Sequence, residues 1–194
     1  MTSSARVLLL GAAFVAASGC SSFLGDKDPH DPGLPIGMYH LVANVDTAST
    51  CAEAVAAAPK PWNFDVTIRR DGQTGYWIVS GQPLSGTIDD KGALTFSASI
   101  PTLVHDVEKA QEIGACTIVR TDSFDGTFAG APTTPNGIAT FTGTLRYAYA
   151  VASGSDCRDV VGPVAEGRPS PLFATLPCDV HFAVTATKFA DAPK

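Results

Sequence analysis

The sequence predicts an all-β fold: an antiparallel meander of eight or nine short strands with one or two short helices. Three observations predict it. Apolar and polar residues alternate with a period of two over several segments, the spacing that puts one face of a strand in a core. The 18 glycines and 14 prolines fall between those segments, where turns need them. No segment has the strand, long helix, strand spacing of a parallel sheet. An up-and-down barrel and a two-sheet sandwich both satisfy this pattern. The barrel is preferred because closure removes sheet edges, and eight strands leave room for a small ligand.

The β domain is expected over residues 37–190 as a single domain. Its first strand, residues 38–45, places Tyr39, Leu41, Ala43 and Val45 on one side. Thr50 and Glu53 have the spacing of a capping box and predict a short helix over 51–58, stopped by Pro59. Residues 62–70 form the cleanest strand: Trp62, Phe64, Val66 and Ile68 alternate with Asn63, Asp65, Thr67 and Arg69. Asp71-Gly72 supplies a turn and residues 76–80 return as the partner strand. A weak repeat follows. Gly86-Thr87-Ile88 precedes Gly92 to Ser97, and Gly126-Thr127-Phe128 precedes Gly137 to Thr142; each reads as strand, turn and returning strand. Asp89-Asp90-Lys91-Gly92 is a tight hairpin turn. Between the copies, residues 102–113 predict a short helix with Leu103 and Val107 inward, and 115–121 a further strand. Residues 138–152 form a long strand. Residues 153–177, with four prolines and no steady period, form a long loop. The last strand, 178–188, sets Val180, Phe182, Val184 and Ala186 on one face.

Ahead of this domain, Arg6 precedes an apolar run over residues 7–17, followed by Ser18-Gly19-Cys20. This is the layout of a secretory signal peptide, and the run is shorter than the roughly 20 residues a membrane-spanning helix needs. Ala17-Ser18-Gly19-Cys20 resembles the lipobox of bacterial lipoproteins, with Ala17 standing where that family usually has Leu. The resemblance implies cleavage after residue 19, a diacylglycerol thioether on Cys20 and acylation, with palmitate-type chains, of the new amino terminus. Two or three acyl chains hold a protein stably on a membrane. Ser21 is not the Asp that resembles an inner-membrane retention signal, which implies the outer membrane of a Gram-negative envelope. Residues 20–36, with Pro29, Pro32 and Pro35, read as an extended tether. Its acidic cluster around Asp26, Asp28 and Asp31 reads as solvated spacer, because the prolines disturb any tight ligand loop. Gly37-x-Tyr39 is loosely similar to the Gly-x-Trp that opens lipocalin-like barrels. That likeness covers one strand and carries no functional residues.

Five cysteines are present. Setting Cys20 aside leaves Cys51, Cys116, Cys157 and Cys178, an even set expected to form two disulfides in an exported chain. Cys157 and Cys178 bracket the proline-rich loop, so the expected pairing is Cys157 with Cys178 and Cys51 with Cys116. No Cys-x-x-Cys spacing supports zinc, and no cofactor is expected.

The formal net charge of −6, with no Lys/Arg cluster, argues against nucleic acid or an anionic membrane surface as partner. His30, His40, His105 and His181 fall in the tether, on a surface helix and on the polar faces of strands. Asp89 with Asp90, and Asp122 with Asp125, are paired acids, but both pairs stand near Gly, where Asp commonly serves a turn backbone. No Gly-x-Ser-x-Gly, Ser-x-x-Lys, His-Glu-x-x-His or P-loop pattern occurs. Trp62, Tyr76, Trp77, Tyr147 and Tyr149 are the candidate lining of a ligand cavity. The expected function is therefore non-catalytic: a lipid-anchored envelope protein whose β domain binds a small apolar ligand or an envelope component. A structural lipoprotein without ligand is the alternative, and a hydrolase with a dispersed site the third reading. An enclosed volume of ~300 Å³ or more separates the first from the second. For the anchor, Cys20→Ser is expected to abolish fatty-acid labelling in cells, because no thioether can form; equal label on the mutant would remove the lipoprotein assignment.

Overall fold

A computed structural model describes residues 32–107, 112–130, 138–163 and 171–192. Cys20, His30 and the signal and tether expectations over 1–31 lie outside the described residues. The chain runs β1 (Leu34–Val45), α1 (Ala52–Ala57), β2 (Trp62–Asp71), β3 (Thr74–Val79), β4 (Gln82–Ile88), β5 (Ala93–His105), β6 (Cys116–Phe128), β7 (Thr140–Val151) and β8 (Cys178–Ala190). Each strand pairs antiparallel with the next, and β1 pairs with β8, giving a closed up-and-down barrel of eight strands. The architecture is the barrel preferred for removing sheet edges, not the sandwich that fits the same alternation.

Alternation decides which side chains go inside. On β2, Val66 and Ile68 are fully buried while Asn63 and Asp65 are exposed; on β8, Val180, Phe182, Val184 and Ala186 are buried and Ala183, Thr185 and Thr187 exposed. The outer wall is largely polar, with Thr95, Ser97 and Ser99 on β5 and Thr142 and Thr144 on β7 all exposed. An apolar interior with a polar exterior is the inverse of a membrane-spanning barrel, which is apolar outside.

The two ends of the barrel differ. At the lower end, where β1 begins and β8 stops, the interior is filled. Tyr39 is fully buried, stacks edge-on against Phe141 (5.0 Å between centroids) and donates its hydroxyl proton to the Ile138 carbonyl (3.0 Å). Arg70 and Lys188, at inward positions of β2 and β8, close this end with Asp90 (2.5 Å) and Asp191 (2.5 Å). Outside the wall, Arg69 is buried and donates to the carbonyls of Pro32 (3.0 Å) and Gly33 (2.9 Å), fixing the entry to β1. The repeated glycines have a packing reason. Gly126 and Gly143 sit opposite each other on β6 and β7, and a Cβ on either would lie 2.6 Å from the Phe124 ring.

Two elements depart from expectation. Residues 102–105 belong to β5 rather than a helix, and Leu103 and Val107 are exposed, not inward. The β5–β6 ladder runs on to His105↔Cys116, and a helix would forfeit those backbone hydrogen bonds. Pro101 is tolerated there because β5 has no partner on its other side beyond Phe96. The strand expected over 115–121 and the one ending at Phe128 are one continuous β6, which leaves eight strands.

The disulfide pairing also differs: Cys51 joins Cys178 (Cα–Cα 5.1 Å) and Cys116 joins Cys157 (4.8 Å). Barrel closure explains it. The end of β1 lies beside the start of β8, so Thr50 N and Cys51 N both donate to the Asp179 carbonyl (2.8 and 3.0 Å) and deliver Cys51 to Cys178. Past β7, the chain folds back on the start of β6 through Ala152 N to Thr117 O (2.9 Å) and Asp156 N to Ala115 O (3.0 Å), delivering Cys157 to Cys116. The pairing by sequence proximity fails because neighbours in the barrel, not along the chain, set the geometry. Both bridges sit at the upper end.

Non-reducing peptide mapping is expected to recover Cys51–Cys178 and Cys116–Cys157; replacing Cys51 and Cys178 together with Ala should cost ~2–5 kcal/mol in denaturant unfolding. Ile68→Ala should cost ~2–5 kcal/mol, and Thr67→Ala on the outer face under ~1 kcal/mol; equal losses would contradict the one-sided strand.

Candidate functional site

The upper half of the barrel is hollow. Inward side chains from β2 to β7 surround a cleft of about 420 Å³, with Trp62, Phe64, Trp77, Leu84, Phe96, Phe124, Leu145 and Tyr147 forming most of its wall. Its rings pack in a continuous series: Trp62 on Phe64 (4.6 Å), Phe64 near Trp77 (6.5 Å), Trp77 on Phe124 (4.8 Å) and Phe96 (5.6 Å). Trp62, Phe64, Leu84 and Tyr147 are half-buried, and Trp77, Phe96, Phe124 and Leu145 are buried.

The cleft reaches solvent through a seam. The β4–β5 ladder consists of Gly86↔Phe96, Thr87↔Thr95 and Ile88↔Leu94 and then stops. Above it β4 and β5 separate, and the diverging edges contribute Gln82 and Leu84 on one side and Ala98 and Ile100 on the other. Val79 and Ile100, both exposed, flank this opening.

A charged pair enters the largely apolar wall, which also holds the uncharged Gln82 and Ser123. Arg120 and Asp122 occupy inward positions of β6, between Ile118 and Phe124, and pair in a fork: Nε donates to Oδ1 (2.7 Å) and Nη2 to Oδ2 (2.8 Å). The Arg120 guanidinium lies over the Tyr147 ring, 5.0 Å from its centroid. Asp122 lines the cleft. Burial, with the Asp122 charge adding to it, pushes the Tyr147 phenol well above its ordinary value, and burial also raises Tyr149. Both phenols stay protonated at neutral pH.

A second hollow of about 360 Å³ lies under α1, lined by Ala54, Ala58, Pro59, Tyr149, Val180 and Phe182. Trp62 and Tyr147 line both hollows, with rings 6.0 Å apart. Thr50 fixes the approach to α1. Its hydroxyl donates to Asp179 Oδ1 (2.9 Å) and accepts from Asp179 N (2.9 Å), so Thr50 binds β8 instead of capping the helix; Cys51 holds the cap position without a side-chain cap bond. Asp179 also accepts from Arg146 (3.0 and 2.8 Å), which holds its carboxyl below the usual range.

Of the five candidate lining residues, Trp62, Trp77 and Tyr147 meet in the cleft, and Tyr149 joins Trp62 and Tyr147 in the second hollow. Tyr76 does not. It pairs with Arg69 on the outer-face register of the β2–β3 ladder, one residue out of phase with Trp77. Phe64, Phe96, Phe124 and the Arg120–Asp122 pair are additional site residues. For the charged pair, the signal in the sequence is its spacing of two from Ile118 and Phe124 on the same strand, which puts all four on one face. The acid pairs separate: Asp122 faces in and Asp125 faces out on mid-strand β6, not in a turn, whereas Asp89 accepts from Lys91 N (2.9 Å) and Ala93 N (2.8 Å) in its turn. The three described histidines lie away from the cleft wall, His40 with Asp65 (2.8 Å), His105 with Asp159 (3.1 Å), at the end of β5 rather than on a helix, and His181 near Asp179 (3.4 Å). Among the described residues no three potential metal ligands cluster.

Because the folded Asp179 pKa is depressed, its contribution to stability is complete above the ordinary aspartate value of about 3.9 and is lost as pH falls through the folded value. Asp179→Asn should therefore lower Tm at neutral pH, with the difference from the parent shrinking in acid; a pH-independent difference would contradict the clamp.

Comparison with protein-family models, curated proteins and solved structures gives no match.

Proposed function

We propose that this protein is a lipid-anchored envelope lipoprotein whose barrel binds a small apolar ligand in the upper cleft. The observation that carries the binding half is the cleft itself: about 420 Å³ with a mainly apolar wall, within the roughly 300–1,000 Å³ range of small-molecule sites. A protein serving only as a structural element has no need to leave the upper half of its core unfilled while the lower half is packed. Two disulfides suit an oxidising, extracytoplasmic compartment. Among the described residues no helix is long and apolar enough to cross a membrane. The polar outer wall suits a barrel that stands in water, so attachment falls to Cys20 and its acyl chains.

The anchor and the cleft stand at opposite ends. The chain enters the barrel at its filled end, beside the β2–β3 turn, where Leu34 pairs with Arg70. The cleft and its seam lie at the other. A membrane-held amino terminus therefore leaves the mouth turned toward the aqueous side, where the ligand or an envelope component delivering it arrives.

N-phenyl-1-naphthylamine, an uncharged apolar dye, tests the reading. It is expected to brighten and to quench the tryptophans with one-to-one stoichiometry. Ala98→Phe, which adds a ring to the cleft wall, should weaken binding about tenfold or more without lowering Tm. No dye binding, or binding unchanged in Ala98→Phe, would overturn the proposal.

A further inference from the structure

Resting on that reading, the polar end of the cleft narrows the ligand class. Asp122 is the carboxylate in the cleft wall, and Arg120 engages both its oxygens at 2.7 and 2.8 Å while stacked on Tyr147. A carboxylate has about four acceptor sites, so two remain after a forked pairing. The pair therefore presents hydrogen-bonding capacity to the cleft without net charge. Apart from the uncharged Gln82 and Ser123, the rest of the wall, from Trp62 and Phe64 to Trp77 and Phe124, offers largely apolar faces.

We infer that the cleft takes an uncharged amphiphile with one hydrogen-bond-donating head group, a primary alcohol or its equivalent, in preference to a fatty carboxylate or an alkylammonium. The apolar body lies against the rings and the head donates to a free lone pair of Asp122. An anionic head meets the like charge of the Asp122 carboxylate, which lines the cleft while Arg120 lies behind it and is not itself a lining residue. A cationic head gives up hydration beside a guanidinium that has already neutralised the acid. An alcohol incurs neither cost. Because Tyr147 stays protonated, no further charge enters the site near neutral pH.

The chain has two tryptophans, and both Trp62 and Trp77 line the cleft, so intrinsic fluorescence reports its occupancy directly. The probes are 1-decanol, decanoate and decylammonium, matched in chain and differing in head, the alcohol below its solubility limit and the charged probes below their micelle concentrations. The expected result is a saturable change in tryptophan emission on adding decanol, as the apolar chain replaces water at the rings, with affinity about tenfold or more above either charged probe. Removing one partner should redirect the preference. Arg120→Gln bares the Asp122 charge and should raise the decylammonium-to-decanol affinity ratio about tenfold or more, and Asp122→Asn bares Arg120 and should do the same for decanoate. The two variants move the ranking in opposite directions, so a folding defect in one leaves the other to decide. Equal or tighter binding of a charged probe to the parent, or an unchanged ranking in the variants, overturns the head-group inference while leaving the cleft as a binding site. Failure of all three probes to change the tryptophan emission, and of the neutral dye to bind, removes the binding reading itself.

Discussion

Closure of the barrel by the β1–β8 ladder is the constraint on which the rest depends. Pairing from Tyr39↔Lys188 to Val45↔Phe182 joins the two ends of the domain and leaves no free edge on either strand. It also sets residues 127 apart in sequence side by side, which is why Cys51 meets Cys178. In the chain-entropy account a loop of that size gives a bridge near the upper end of the usual ~2–5 kcal/mol. The same neighbourhood positions Thr50 on Asp179 and so holds α1 over the upper mouth. Closure, covalent staple and helix placement are three consequences of one strand pairing.

Within that closed wall, the interior is partitioned by residue size. Glycine at inward positions of neighbouring strands admits the rings of Phe96 and Phe124 into mid-barrel, and below them Tyr39, Phe128 and Phe141 fill the cross-section. Above them, the β4–β5 ladder ends and the wall parts, so the aromatic side chains there line a space rather than fill one. The half-buried state of Trp62 and Phe64, against the complete burial of Ile68 on the same strand face, is the local record of that change.

Much of this was legible in the sequence. Period-two alternation on β2 and β8 assigns their inner faces correctly, and the Asp89 to Gly92 turn is where its residues require. The inward position of Trp62, Trp77 and Tyr147 follows from the same alternation. Most of the errors need a contact made far along the chain, whereas Tyr76 needs only the phase of its own strand. Tyr76 was grouped with Trp77 by residue type although adjacent strand residues face opposite ways. Residues 102–105 have helical apolar spacing, yet the waiting β6 edge recruits them as strand. Thr50 and Glu53 fit a local capping motif, but the Thr50 hydroxyl bonds to β8 instead. Asp122 reads as a turn acid paired with Asp125 beside Gly126, and only the register of β6 between β5 and β7 places it inward with Arg120.

The central claim is that the upper half of this barrel is a ligand site entered between β4 and β5. The most direct measurement is amide and indole chemical-shift mapping by nuclear magnetic resonance during titration with 1-decanol. The account predicts shifts at both indole N–H signals and along Leu84, Phe96, Ala98, Asp122, Phe124 and Tyr147, with Tyr39, Phe141 and the outer-face Thr185 unmoved. Shifts spread over the outer wall, or centred on the filled end around Tyr39, would contradict it.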